Sequence, residues 1–93
     1  MLYFVIETFR NQDGRAVYRR FRDQGRMVPD GLIFHESWIA ADMSRCFQVM
    51  ECDDVGLLQR WVGQWSDLVA FEIIPVQTGK ATAAALADIL DPT

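Results

Sequence analysis

The sequence predicts an α+β domain in the ferredoxin-like arrangement, a β-α-β-β-α-β two-layer sandwich followed by a C-terminal helix. Two observations carry that expectation. From Arg45 to Val76 the apolar period runs two, then 3.6, then two again, which is the signature of strand, helix and strand. The first half repeats the same pattern more weakly, so the chain reads as a doubled unit.

Leu2 to Phe9 is the first strand, an aromatic and β-branched run that stops at the polar break Arg10-Asn11-Gln12-Asp13-Gly14. A helix follows to about Arg26, capped by Asn11 or Asp13, with Val17, Tyr18 and Phe21 on its inward face. Gly25 and then Pro29-Asp30-Gly31 end it. Leu32 to Ala41 and Arg45 to Cys52 form the next two strands. The short loop Asp42-Met43-Ser44 makes them an antiparallel hairpin.

The second helix spans Asp54 to Trp65, with Asp53 as its cap and Leu57, Leu58, Trp61, Val62 and Trp65 within one sector. Val69 to Gln77 is the fourth strand, and Pro75 marks it as a sheet edge. Residues 1–77 thus form the core of a single domain. Residues 78–93 form a helical tail whose Leu86, Ile89 and Leu90 are expected to dock on the body or on a second copy.

The strands sort their side chains into two sets. Leu2, Phe4, Ile6, Phe34, Trp38, Phe47, Val49, Phe71 and Ile73 are expected under the helices. The opposite set includes Tyr3, Val5, Glu7, Ile33, His35, Gln48, Met50, Glu72 and Ile74. It is too apolar for water, and a homodimer packing sheet on sheet through Val5, Met50 and Ile74 would cover it.

Composition bounds the function classes. At 93 residues, 51% hydrophobic and 24% charged, the chain is a single globular domain small enough to gain from self-association. No apolar run reaches the ~20 residues of a membrane span, and Met1 to Ile6 lacks a basic leader, so a cytoplasmic location is expected. Cys46 and Cys52 lie six positions apart on one extended run, roughly 20 Å at 3.3 Å per residue, too far to bridge each other. No cluster has metal-ligand spacing, so neither metal nor cofactor is expected. A net charge of −4 argues against nucleic acid as a partner. The charge is uneven: residues 1–26 carry a net +3, and the rest carry −7.

The chemistry-bearing candidates form one pocket set: Tyr3, Glu7, His35, Gln48, Glu72, Trp61 and Trp65. Paired carboxylates in an enclosed site acquire raised pKa values and can move protons. His35, the only histidine, could serve as a general base. Trp61 and Trp65, one helical turn apart, could wall an apolar pocket. Each has a structural alternative in core packing or paired polar contacts. Arg15, Arg19, Arg22 and Arg26 form a basic stripe, read as a solvated face that could hold an anion.

The fragments Trp38…Asp42, Phe47…Glu51-Cys52-Asp53-Asp54, Trp65-Ser66-Asp67-Leu68 and Phe71-Glu72…Pro75-Val76 resemble the domain-of-unknown-function 3303 family. That family resembles the dimeric α/β-barrel superfamily, which implies a two-sheet barrel formed by a homodimer. The superfamily includes cofactor-free quinol oxygenases, haem-degrading oxygenases and ligand-sensing domains. The resemblance assigns no catalytic residue. The functional expectation is a module binding a small apolar or aromatic ligand. The alternative is a cofactor-free oxygenase or isomerase acting in the barrel interior, and the sequence leaves open whether the protein is an enzyme.

Overall fold

The computed structural model describes residues 1–91; Pro92 and Thr93, the end of the expected tail, lie outside the described residues. The elements are β1 (Leu2–Phe9), a 3-10 turn (Arg10–Gln12), α1 (Gly14–Gln24), β2 (Ile33–Ile39), β3 (Arg45–Glu51), α2 (Val55–Trp65), β4 (Val69–Val76) and α3 (Gly79–Leu86). The strands form one antiparallel sheet in the order β2-β3-β1-β4, so β1 and β3 are central and β4 is an edge, as Pro75 implied. This is the expected ferredoxin-like order, an α+β sandwich with α1 and α2 on one sheet face.

Local chemistry sets the element ends. The Asp13 carboxylate accepts from the Ala16 amide at 3.1 Å and starts α1. α1 stops at Gln24, two residues earlier than expected, because Gly25 adopts φ 71°, a left-handed conformation that glycine takes without steric cost. Asp54, not Asp53, caps α2: its backbone is extended and its carboxylate accepts from Gly56 N at 2.9 Å. β2 and β4 are also shorter than the sequence suggested, ending at Ile39 and Val76.

The larger correction concerns the faces. Val5, Glu7, Phe9, Gln48, Met50 and Cys52 are buried with Val17, Leu58, Trp61, Trp65 and Val69. The register carries Phe71 and Ile73 to the same side, where Phe71 packs edge-on against Trp61 at 5.4 Å. Leu2, Phe4, Ile6, Phe47, Val49 and Trp38 lie on the opposite, helix-free face, with Trp38 53% exposed. Faces were expected the other way round on β1 and β3. Both sets are apolar enough to be buried, so hydrophobicity alone does not choose between them.

In β2 the alternation itself breaks. The register shifts between Phe34 and Glu36, so Phe34 pairs with buried Met50 while Trp38 pairs with Phe47 on the open face. A bulge of this kind sends residues of one parity to opposite sides. Val5 and Met50 therefore belong to the helix–sheet core and cannot form a surface for a second copy. Ile74 does lie on the open face, 40% exposed.

Of the two places expected for the tail, its own domain is not the one it takes. Every residue from Gln77 to Asp91 is exposed, so Leu86, Ile89 and Leu90 do not dock on the body of their own chain.

α1 is fastened to the far end of α2 by Arg20. Its guanidinium forms a two-pronged ion pair with Asp67 at 2.6 and 2.7 Å, donates to Gln64 O at 3.0 Å and lies 5.6 Å from the Trp65 ring centre. The Arg20 guanidinium holds the Asp67 carboxyl down at about 2. Trp65 is buried among these contacts. Trp65→Ala is expected to cost about 3–5 kcal/mol by opening a cavity between α2 and the sheet, checked by urea denaturation. A loss below about 1 kcal/mol would mean the ring is not part of the core.

Candidate functional site

Arg26 organises the site, although it lies beyond the helix on which the sequence placed it. Gly25 at φ 71° and Met27 at φ 61° flank it, so the chain turns sharply on both sides. Left-handed backbone at a non-glycine residue such as Met27 is strained and persists only where its surroundings enforce it. Here the enforcement is visible. Trp61 Nε1 and Trp65 Nε1 both donate to the Arg26 carbonyl oxygen at 3.0 Å. Spaced i, i+4, the two indoles converge on one acceptor, using both of its lone pairs.

The turn sends the Arg26 side chain inward. Its guanidinium stacks 3.8 Å from the Phe34 ring centre and 5.2 Å from that of Phe21. It donates through an NH1 hydrogen to Gln48 Oε1 at 3.0 Å. Arginine offers only donors, so it fixes the carboxamide with its oxygen outward and its NH2 turned to Glu7. Gln48 Nε2 then donates to Glu7 Oε2. A buried carboxyl, a buried amide and a half-buried guanidinium thus form one relay across β1, β3 and the loop after α1.

These groups stand beside a cavity of about 230 Å³ lined by Glu7, Phe9, Val17, Tyr18, Phe21, Arg26, Ser37, Cys46, Trp61 and Trp65. Tyr18 and Phe21, each more than 40% exposed, form its mouth. Burial raises the Glu7 carboxyl from 4.5 to about 7, against the pull of Arg26. Burial also pushes the Cys46 thiol up to about 11, with Glu7 adding to the effect, so at neutral pH it is a protonated thiol and a poor nucleophile. Tyr18 is raised as well, chiefly by burial, and burial lowers Arg26 from its ordinary value. The arrangement offers one titratable carboxyl near neutrality at the base of an aromatic-walled space.

Of the residues singled out from sequence, Glu7, Gln48, Trp61 and Trp65 come together here. Tyr3 lies apart, in a separate groove with Val55, Leu58, Gln59, Val62, Ile73 and Pro75. His35 and Glu72 are on the open side of the sheet: His35 Nε2 is 2.8 Å from Glu51 Oε1 with both side chains partly exposed, and Glu72 pairs across from Ile6. Sequence reasoning missed Arg26, Phe9, Tyr18, Phe21, Ser37 and Cys46 as cavity neighbours. The Arg15/Arg19/Arg22/Arg26 stripe is not one surface either, since Arg26 is turned into the core and Arg22 pairs with Asp23 at 2.8 Å. Among the described residues no group of three or more His, Cys, Asp or Glu side chains could hold a metal ion. Among them, too, no helix is long and apolar enough to cross a membrane.

Fold and site together define a small α+β protein with a ferredoxin-like sheet and an internal polar relay. The chain belongs to the family described as domain of unknown function 3303, whose profile matches residues 1–90. No curated protein matches it. Among solved structures, protein Atu4242 from Agrobacterium tumefaciens is similar at 11% identity with a TM-score of 0.50, over 85% of this chain and 96% of that one. Rv0793 from Mycobacterium tuberculosis is similar at 15% identity with a TM-score of 0.49, over 84% and 97%. At such identity the likeness to Atu4242 speaks for the fold alone.

The raised Glu7 pKa has a consequence for stability. The folded value of about 7 exceeds the 4.5 of the free side chain, so the folded state holds this proton more tightly than the unfolded state does. Stability from this group is complete below about pH 4.5 and is lost as pH rises through 7, on the order of 3 kcal/mol in all. Unfolding free energies at pH 5 and pH 8 should show this decline in the wild type and a much flatter profile in Glu7→Gln. Parallel profiles would mean that Glu7 titrates normally.

Proposed function

We propose that the protein binds a small apolar or aromatic ligand in the cavity between α1, α2 and the sheet, with Glu7 contacting the ligand's one polar group. The observation that carries this reading is the buried Glu7 carboxyl at the base of an aromatic-walled cavity. Structural carboxylates are normally consumed by partners, whereas this one is held by a single amide and faces open volume. Ligand sites are mostly apolar spaces with a few placed polar groups, and this cavity fits a molecule of one or two rings.

An aromatic fragment set titrated into 15N-labelled protein should shift the amides of Glu7, Tyr18, Cys46 and Trp61 together, as well as the two indole signals. Glu7→Gln should weaken that binding several-fold while leaving the fold intact. If no fragment perturbs this cluster at millimolar concentration, the ligand-binding reading fails.

A second reading is catalysis on such a ligand, by a cofactor-free oxygenase or an isomerase. A carboxyl near pH 7 favours the proton-transfer step that either requires.

The proposal extends to a homodimer. Leu2, Phe4, Ile6, Phe47, Val49 and Trp38 form a continuous apolar face, with Phe4 and Phe47 stacked at 6.2 Å, and His35, Glu51, Glu72 and Arg45 surround it. An apolar centre with a charged rim is the make-up of a protein interface, and a second copy brings an equally flat, equally apolar sheet. Light scattering at micromolar concentration should give twice 10.7 kDa, and Phe47→Lys should give the monomer mass. A wild-type monomer would end the dimer proposal without touching the ligand site.

A further inference from the structure

We infer that α3 is an exchanged arm, which seats Leu86, Ile89 and Leu90 in the groove between α2 and β4 of a second copy. The inference rests on the sheet-face dimer proposed above. Its first support is that the arm stands away from its own domain. The molecule measures 57 × 31 × 17 Å with a radius of gyration of 16.1 Å. A compact chain of this length has roughly 12 Å. Every residue from Gln77 to Asp91 is exposed, with Ile89 at 68%. A short Ala-rich helix has little stability of its own in water and persists by packing.

The second support is a receptor of matching chemistry. Tyr3, Val55, Leu58, Val62, Ile73 and Pro75 line a groove of about 330 Å³ that is almost wholly apolar. Val55 is 49% exposed there, and none of the described residues of its own chain fills the groove. Its Tyr3 and Pro75, paired across β1 and β4, lie at the sheet end from which α3 departs.

The third support decides whose arm fills it. Thr78 caps α3 through Oγ1, which accepts from Ala81 N at 3.0 Å, and its carbonyl accepts from Thr82 N at 3.0 Å. With φ −62° and ψ 148°, Thr78 continues the extended line of β4 and starts the helix outward. Only Gln77 separates Val76 from this cap, so returning the arm to its own groove would require a full reversal of the chain within that one residue. A second copy needs no reversal. The eight residues of α3 from Gly79 to Leu86 span roughly 12 Å, and the turn that follows carries the chain on to Leu90; packed sheets lie about 10 Å apart, so the arm passes the interface and meets the partner's flank. Two-fold symmetry then fills both grooves with both arms.

The test uses the full chain in a mixture of 13C-labelled and unlabelled copies. Isotope-filtered NOEs should connect Ile89 and Leu90 methyls of one copy with Val55 and Val62 methyls of the other. Ile89→Asp together with Leu90→Asp should raise the dimer dissociation constant roughly tenfold or more. A dimer without those cross-peaks, with an unchanged dissociation constant and fast amide exchange from Ala81 to Leu90, overturns the arm exchange and leaves the sheet-face dimer standing. Contacts found only within one copy overturn it in favour of a folded-back tail. A wild-type monomer removes the dimer and the exchange together.

Discussion

One carbonyl oxygen organises the interior. Two indole N–H groups a turn apart on α2 grip the Arg26 backbone, and three consequences follow from the grip. It sets the rotation of α2 about its axis, since both tryptophans must face the same point. It holds the segment after α1 against the sheet in spite of left-handed backbone at Met27. And it aims a guanidinium at Gln48, whose amide then has only one orientation left for Glu7. Tryptophan suits this task because its large apolar body fills the core while its N–H needs an acceptor there. The tryptophans therefore build the site by placing its cation as well as by walling its cavity.

The relay also explains how a carboxyl can be buried in so small a domain. An isolated charge in the core would be prohibitive, and a direct Glu–Arg pair would pull the carboxyl pKa down. Interposing Gln48 satisfies hydrogen bonds at both ends and keeps the cation one residue removed. Desolvation then outweighs the attraction of Arg26, and Glu7 moves up to about 7. Strength of pairing has been exchanged for titration near neutrality.

What could be read from sequence divides along physical lines. The element order was legible because the apolar period changes with each element, and Pro75 at the edge followed from a missing backbone donor. Hairpin pairing of β2 with β3 was legible from a loop too short for any other connection. Face assignment was not. Period two says which residues share a face and is silent on which face the helices take when both are apolar, and the bulge after Phe34 erases even the sharing in β2. Glu7, Gln48, Trp61 and Trp65 were recognisable from their types. Arg26 was not, because its role depends on a reversal after Gly25 that helical periodicity extrapolates straight past. The signal available was chemical: a buried glutamine paired with a carboxyl on the neighbouring strand still needs a donor for its amide oxygen, and the chain returning from α1 carries an arginine that supplies one.

The reversal of faces carries a further lesson about this sheet. On β1 and β3 the set expected inside is left uncovered and Glu7 and Gln48 lie under the helices, while Phe34, Phe71 and Ile73 keep their expected place there. The choice follows from what each neighbour can offer. A helix layer with the Arg26 loop beneath it supplies a donor for Gln48 and aromatic walls for the cavity. The open face, with no helix over it, offers no such donor. Glu7 and Gln48, on the two central strands, are therefore buried on the face where a donor exists, whereas the polar residues of the open face, such as Glu36 and Glu72, stay exposed. In a domain this small, with one sheet and one layer of helices, a buried polar relay has only the internal face to occupy.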